Sequence, residues 1–247
     1  MSRINFSSKL SCLFLGLGWI LFSTANPCRG DNPPPSPDSP GCIFIRERSQ
    51  GLPAFLKAFE GQKASLKATG FNHYSLHEDI QDTRVLILVL GCSSLEKGLA
   101  YLESPAYRDF LTQAGAREVK HWSGVDVLPR DFGRQAPKPA GMVIAWGTLK
   151  SFDRWKAFFD SEHDPAHGGK NPSAGKGYHP NRDYTASSYS IHRGLGKPDS
   201  AIVAHQASDI RKAPEFMRTI PMENIRKPMG LLKMEVWFGY NLESGDF

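Results

Sequence analysis

The chain is predicted to be an α+β protein in which one β-α-β-β-α-β unit is written twice. The tetrapeptide Tyr74-Ser75-Leu76-His77 returns as Tyr189-Ser190-Ile191-His192, an offset of 115 residues. The same offset, without a gap, superposes Ile87 on Ile202, Ser93 on Ser208, Lys97 on Lys212, Gly115 on Gly230, Trp122 on Trp237 and Gly124 on Gly239. Within each copy, short apolar runs and segments of helical periodicity follow one another in the same order.

Ahead of the first copy, Arg3 and Lys9 precede an apolar run over 10–22, and Ser23-Thr24-Ala25 supplies small residues for cleavage, so 1–25 reads as a signal peptide. That run is shorter than a bilayer requires, and no stable membrane insertion is expected. The product is expected to be exported, periplasmic or extracellular. A lipid anchor on Cys28 is the alternative, although Pro27 fits poorly before an acylated cysteine. Residues 26–41, rich in proline, serine and aspartate, read as a tether.

The first repeat is placed at 42–128, a linker at 129–139 and the second repeat at 140–243. Runs at 42–48 and 141–148 open the copies as strands. Leu52, Phe55, Leu56 and Phe59, with Pro53 at the start and Gly70 at the end, have helical spacing and punctuation. Phe152, Trp155, Phe158 and Phe159 after Ser151 are their counterpart. Alternating residues around Tyr74 and Tyr189 suggest half-buried strands. The run at 85–90, apolar throughout, suggests a strand covered on both sides, with 201–204 its twin. Ser93-Ser94 and Ser208-Asp209 start helices, with Glu96 spaced from Ser93 for a capping box. Pro105 and Pro221 are each read as the first residue of a second short helix, since proline inside a helix is costly. Gly115 and Gly230 end these helices, and the strands of Trp122 and Trp237 close the copies.

A strand followed by Ser94-Leu95-Glu96-Lys97, a Ser104-Pro105 break, an Ala114-Gly115 helix end and a tryptophan-bearing last strand resembles the dimeric α/β-barrel superfamily. This ferredoxin-like group includes antibiotic-biosynthesis-type monooxygenases, and the resemblance spans residues 42–243. It implies two ferredoxin-like units packed sheet to sheet, here as an intramolecular α/β barrel, with pockets between sheet and helices and a small apolar or aromatic ligand. The superfamily hosts oxygenases, isomerases, haem enzymes, dismutases and proteins without known activity, so it selects no reaction and no catalytic residue carries over. No cofactor is expected.

Among candidate residues, His77 and His192 occupy equivalent places on the strand face opposite Tyr74 and Leu76, or Tyr189 and Ile191. They are the acid–base candidates; solvent-facing or locally hydrogen-bonded structural histidines are the other reading. Tyr74, Tyr189, Trp122 and Trp237 are aromatic candidates for ligand contact, with core packing as the alternative. Aligning Leu56-Lys57-Ala58-Phe59 with Trp155-Lys156-Ala157-Phe158 needs an offset of 99, so the second copy carries 16 extra residues, within 160–184. That insert holds His163, His167 and His179, further ligand-binding candidates on an inserted loop. No metal site is expected there, because Pro165, Gly168 and Gly169 break the helix that would align the first two histidines, and no zinc-protease motif is present. The glycine–lysine stretch lacks the phosphate-loop pattern.

The formal charge of +5 falls to +3 when Arg3 and Lys9 leave with the signal, and the bases are interspersed with acids, which excludes a nucleic-acid surface. Of four cysteines, Cys12 lies in the signal; Cys28 and Cys42 flank the tether and could pair in an oxidising compartment, and Cys92 reads as a buried free thiol. Two functional readings remain open. One is a small-molecule-binding barrel, monooxygenase-like or isomerase-like; the other is a non-catalytic structural or interaction protein. Either is compatible with a monomer or a homodimer.

Overall fold

The computed structural model describes residues 36–128, 138–163, 186–196, 198–219 and 222–247. The signal, most of the tether and the linker over 129–137 lie outside the described residues, as do 164–185 of the insert. The first half runs β1 (Gly41–Arg48), α1 (Leu52–Thr69), β2 (Phe71–Asp79), β3 (Val85–Cys92), α2 (Leu95–Leu102), α3 (Pro105–Ala114) and β4 (Arg117–Leu128). The second runs β5 (Gly141–Leu149), α4 (Phe152–His163), β6 (Ala186–Arg193), β7 (Asp199–Ala207), a 3-10 turn (Ile210–Lys212), α5 (Ala213–Thr219), α6 (Met222–Met229) and β8 (Leu231–Asp246).

The strands close a barrel in the order β1-β3-β2-β8-β5-β7-β6-β4. Each half contributes a ferredoxin-like sheet, β4-β1-β3-β2 or β8-β5-β7-β6, and antiparallel seams β2–β8 and β4–β6 join them. Among the described residues, closure leaves no strand edge to template association. No helix among the described residues is long and apolar enough to cross a membrane.

Local chemistry explains the boundaries. Pro53 lies in the first turn of α1, and Gly70, at φ 101°, turns the chain out in the left-handed conformation that glycine adopts without strain. Ser104 caps α3, accepting from the Tyr107 N–H at 3.2 Å, with Pro105 as the first helical residue as predicted. The capping box is not formed. Ser94 is the cap of α2, the Ser93 hydroxyl turns to the Gly70 carbonyl, and Glu96 stands one place too early to reach back. Pro221 lies outside the described residues.

The two halves also correct the register read from the helices. Gly41 pairs with Cys92 as Gly141 pairs with Ala207, and Leu52 and Phe152 both open helices. The offset before the insert is therefore 100, and the insert has 15 residues rather than 16. Buried Phe55 and Phe59 stack in α1, with centroids 5.9 Å apart, as Trp155 and Phe159 do in α4 at 5.1 Å. The shared Lys-Ala-Phe letters had drawn the alignment one residue off the face that is buried.

Among the described residues the apolar core divides between the barrel interior and the two sheet–helix layers. The interior holds Phe44, Ile87, Val89, Ile144, Ile202 and Trp237, with Trp122 and Trp146 against them. The layers lie between each sheet and its helices, β1 contributing Ile43 and Ile45 to the first and β7 contributing Val203 and Ala207 to the second. Cys42 and Cys92 are both buried free thiols.

Candidate functional site

His77 and His192 are buried inside the barrel, at 2% and 1% exposure, which removes the solvent-facing reading. The serine two residues earlier on each strand approaches Nε2, Ser75 at 2.9 Å and Ser190 at 3.0 Å. Each histidine packs across a seam against a glycine of the other half. A Cβ on Gly124 would lie 2.9 Å from that of His192, and one on Gly239 would lie 2.7 Å from that of His77. The two ends then diverge. Nδ1 of His192 lies 2.7 Å from Asp126 Oδ1, whereas His77 stands opposite Asn241 in the ladder. The Cys42 thiol sits beside Asp126; burial, and then that carboxylate, hold it well above the ordinary thiol range.

The aromatic candidates separate. Trp122 and Trp237 meet in the middle of the barrel with ring centroids 4.1 Å apart. Tyr74 faces the opposite side of its strand, edge-on to Phe59 at 4.9 Å, with its hydroxyl on Glu243. Tyr189 lies on β6 and His163 ends α4. Their side chains, and all of His167 and His179, lie outside the described residues.

A different group occupies the layer between sheet and helices in the first half. Ile45, Phe59, Leu66, Leu88, Leu90, Tyr101 and Phe110 line a narrow cleft with Gln62 and Tyr107, about 190 Å³ counting the space open to solvent and too narrow to admit a water molecule. Polar atoms lie within this apolar region. Gln62 Oε1 and the Tyr107 hydroxyl are buried without a hydrogen-bond partner, as are both carboxylate oxygens of Glu47. Glu47 follows Ile43 and Ile45 on the helix-facing side of β1 and is 1% exposed. Burial raises its carboxyl pKa to about 7. Burial also pushes the Tyr107 phenol up, and the nearby Glu47 carboxylate adds to the effect. Sequence reasoning missed this group, although its signal was present. Ile43, Ile45 and Glu47 share one face of the first strand, and Glu47 is an acid at the third place of a face that otherwise carries isoleucine.

Any molecule entering this layer would have to part α1 from α3, which meet at the Phe55–Phe110 and Phe59–Phe110 contacts of 5.4 and 6.5 Å. Such a molecule would meet a proton acceptor or donor poised near neutrality.

No protein-family profile and no curated protein sequence matches the chain. Solved structures do. A protein from Lactobacillus acidophilus NCFM, provisionally named a monooxygenase, is 9% identical with a TM-score of 0.53, over 84% of this chain and 96% of its own. An anthrone oxidase-like protein is also 9% identical, at TM-score 0.55, over 85% and 94%. A provisionally named chlorite dismutase is 12% identical, at TM-score 0.50, over 83% and 95%. The fold is thus the dimeric α/β-barrel fold, two ferredoxin-like units closed into one barrel.

These neighbours correct the expectation of no cofactor. Beside the chlorite dismutase-like protein, the solved structures of similar fold include a haem-binding protein from Thermus thermophilus, 16% identical at TM-score 0.46. The first half does not fit that group, its sheet–helix layer being closed and carrying a carboxylate rather than an imidazole. In the second half the donor type does fit. His205, 4% exposed between Val203 and Ala207 on the helix-facing side of β7, stands where the first half has Leu90. His205 would be the residue to hold a haem iron, which supplies oxygen and peroxide chemistry when so ligated.

Proposed function

We propose that the protein binds a small apolar or aromatic molecule in the first half's sheet–helix layer and acts on it through Glu47, as a monooxygenase-like or isomerase-like barrel. The observation that carries this reading is the buried, unpartnered Glu47 carboxyl with a pKa of about 7. Leaving such a group unsatisfied costs about 1–3 kcal/mol, and a purely structural strand would be more stable with an apolar residue there. In its ionised form Glu47 would take a proton from an acidic C–H or O–H of the ligand. Tyr107, whose phenol feels the Glu47 charge, would supply a hydrogen-bond donor near it, and Gln62 an acceptor on the same cleft as Tyr107.

Anthrone suits the test, being aromatic, apolar and weakly acidic at carbon. Wild-type protein in deuterated buffer should accelerate exchange of the acidic anthrone hydrogens, followed by NMR. The rate should rise with pH through about 7 as Glu47 ionises. Glu47→Gln should lose about 100-fold. Equal exchange by wild type and Glu47→Gln would reject the assignment.

We also propose that the chain is exported, on the strength of the basic, apolar and small-residue order over 1–25. Mass spectrometry of the mature protein should place its first residue at Asn26. Retention of Met1, or a lipid on Cys28, would refute cleavage after Ala25.

A further inference from the structure

The two ends of the barrel interior have matching positions but differ at those that bear metal-donor chemistry. In the ladder Cys42 corresponds to Met142, each facing a glycine, Gly124 or Gly239. Asp126 corresponds to Asn241; their backbone N–H groups donate to Pro40 and Ala140, at 2.9 and 3.1 Å. His73 corresponds to Ser188, and its ring lies over Gly91, where a Cβ would collide with it. The histidine and its serine are kept at both ends. One end thus gathers Cys42, Asp126 and His192, and the other has methionine, asparagine and histidine.

We infer that Cys42 Sγ, Asp126 and His192 form a binding site for a single divalent, zinc-like ion, present at one end of the barrel only. One donor atom from each residue lies within 4.8 Å of the other two, so a modest spreading places an ion among them. Thiolate, imidazole and carboxylate together suit a borderline metal rather than magnesium or calcium. Charge balances: the ion displaces the thiol proton to solvent, and its two positive charges meet one thiolate and one carboxylate, leaving the buried site neutral. The Ser190 contact at Nε2 holds the ring so that Nδ1 faces the site, the orienting role that outer partners play for metal-bound histidine. Cys42 and His192 are each 1% exposed, and Asp126, whose side chain is 18% exposed, marks the way in. Three protein ligands leave a fourth position open.

The Met142/Asn241 end is a built-in control, because Cys42→Met and Asp126→Asn install residues the fold already accepts at matching places. Full-length protein stripped with chelator would be titrated with cobalt(II), a spectroscopic stand-in for zinc. Wild type should take up one ion with a thiolate-to-cobalt charge-transfer band. Cys42→Met should lose that band, Asp126→Asn should weaken binding by about 100-fold, and His77→Asn at the other end should change neither. The proposal falls if the band is missing from wild type, persists in Cys42→Met, or is matched in affinity by Asp126→Asn. Cobalt bound without a thiolate band, as histidines alone would bind it, also overturns it. Circular dichroism of each variant separates loss of the site from loss of the fold, and Asp126→Asn serves as the second test should Cys42→Met not fold.

Discussion

At pH 8, Glu47→Gln is expected to be more stable than wild type by about 3 kcal/mol, and at pH 4 to be equal to it. The Glu47 carboxyl has its pKa raised from 4.5 to about 7 by burial, so between those values the folded chain holds a proton that the unfolded chain has released. Stability therefore falls as pH rises through this window, by about 1.4 kcal/mol per unit, and the full penalty is present above about pH 7. Glutamine resembles the neutral acid in shape and cannot ionise, so it removes the slope. Other carboxylates work in the opposite sense: Asp82 beside Arg84, Asp209 beside Arg211 and Glu235 beside Lys233 all lie below their usual range. Their contributions are lost below about pH 4 and are common to both proteins, so they cancel in the difference. Urea unfolding of wild type and variant at several pH values measures it, and parallel curves would show that Glu47 ionises as freely in the folded chain as in the unfolded one.

How much of this was legible in the sequence differs between the fold and the sites. Strand and helix order could be read because it depends on short-range signals. The apolar run at 85–90, the Ser104-Pro105 start and the left-handed turns at Gly70, Gly115 and Gly230 each act within a few residues. The repeat at offset 115 then located Trp122 and Trp237 at matching places, opposite Phe44 and Ile144. The alignment of α1 with α4 failed by one residue because it followed shared letters rather than burial. The metal-donor cluster could not be read at all. Cys42, Asp126 and His192 sit on β1, β4 and β6, and only the β4–β6 seam that closes the barrel brings the last two opposite each other. His77 and His192 were correctly placed on the strand face away from Tyr74 and Ile191. Whether that face met water or the barrel interior depended on closure, a long-range event.

Trp237→Ala is expected to destabilise the protein by about 3–5 kcal/mol, the usual cost of emptying a buried aromatic site. Trp237 is 8% exposed and lies among Phe44, Ile87, Ile144 and Ile202, which come from both sheets. Its loss would open a void where the halves meet, in a space no neighbouring strand can enter without breaking the ladder. Trp122→Ala should cost less, since Trp122 is only half-buried, and the double variant should be non-additive because the two indoles touch. The same series separates core from ligand contact. As a packing residue, Trp237 should move the denaturant midpoint and leave anthrone exchange per folded molecule unchanged, since that chemistry is assigned to the other face of the sheet. A Trp237→Ala protein of wild-type stability that no longer bound anthrone would return the ligand to the barrel interior and leave Glu47 without a substrate.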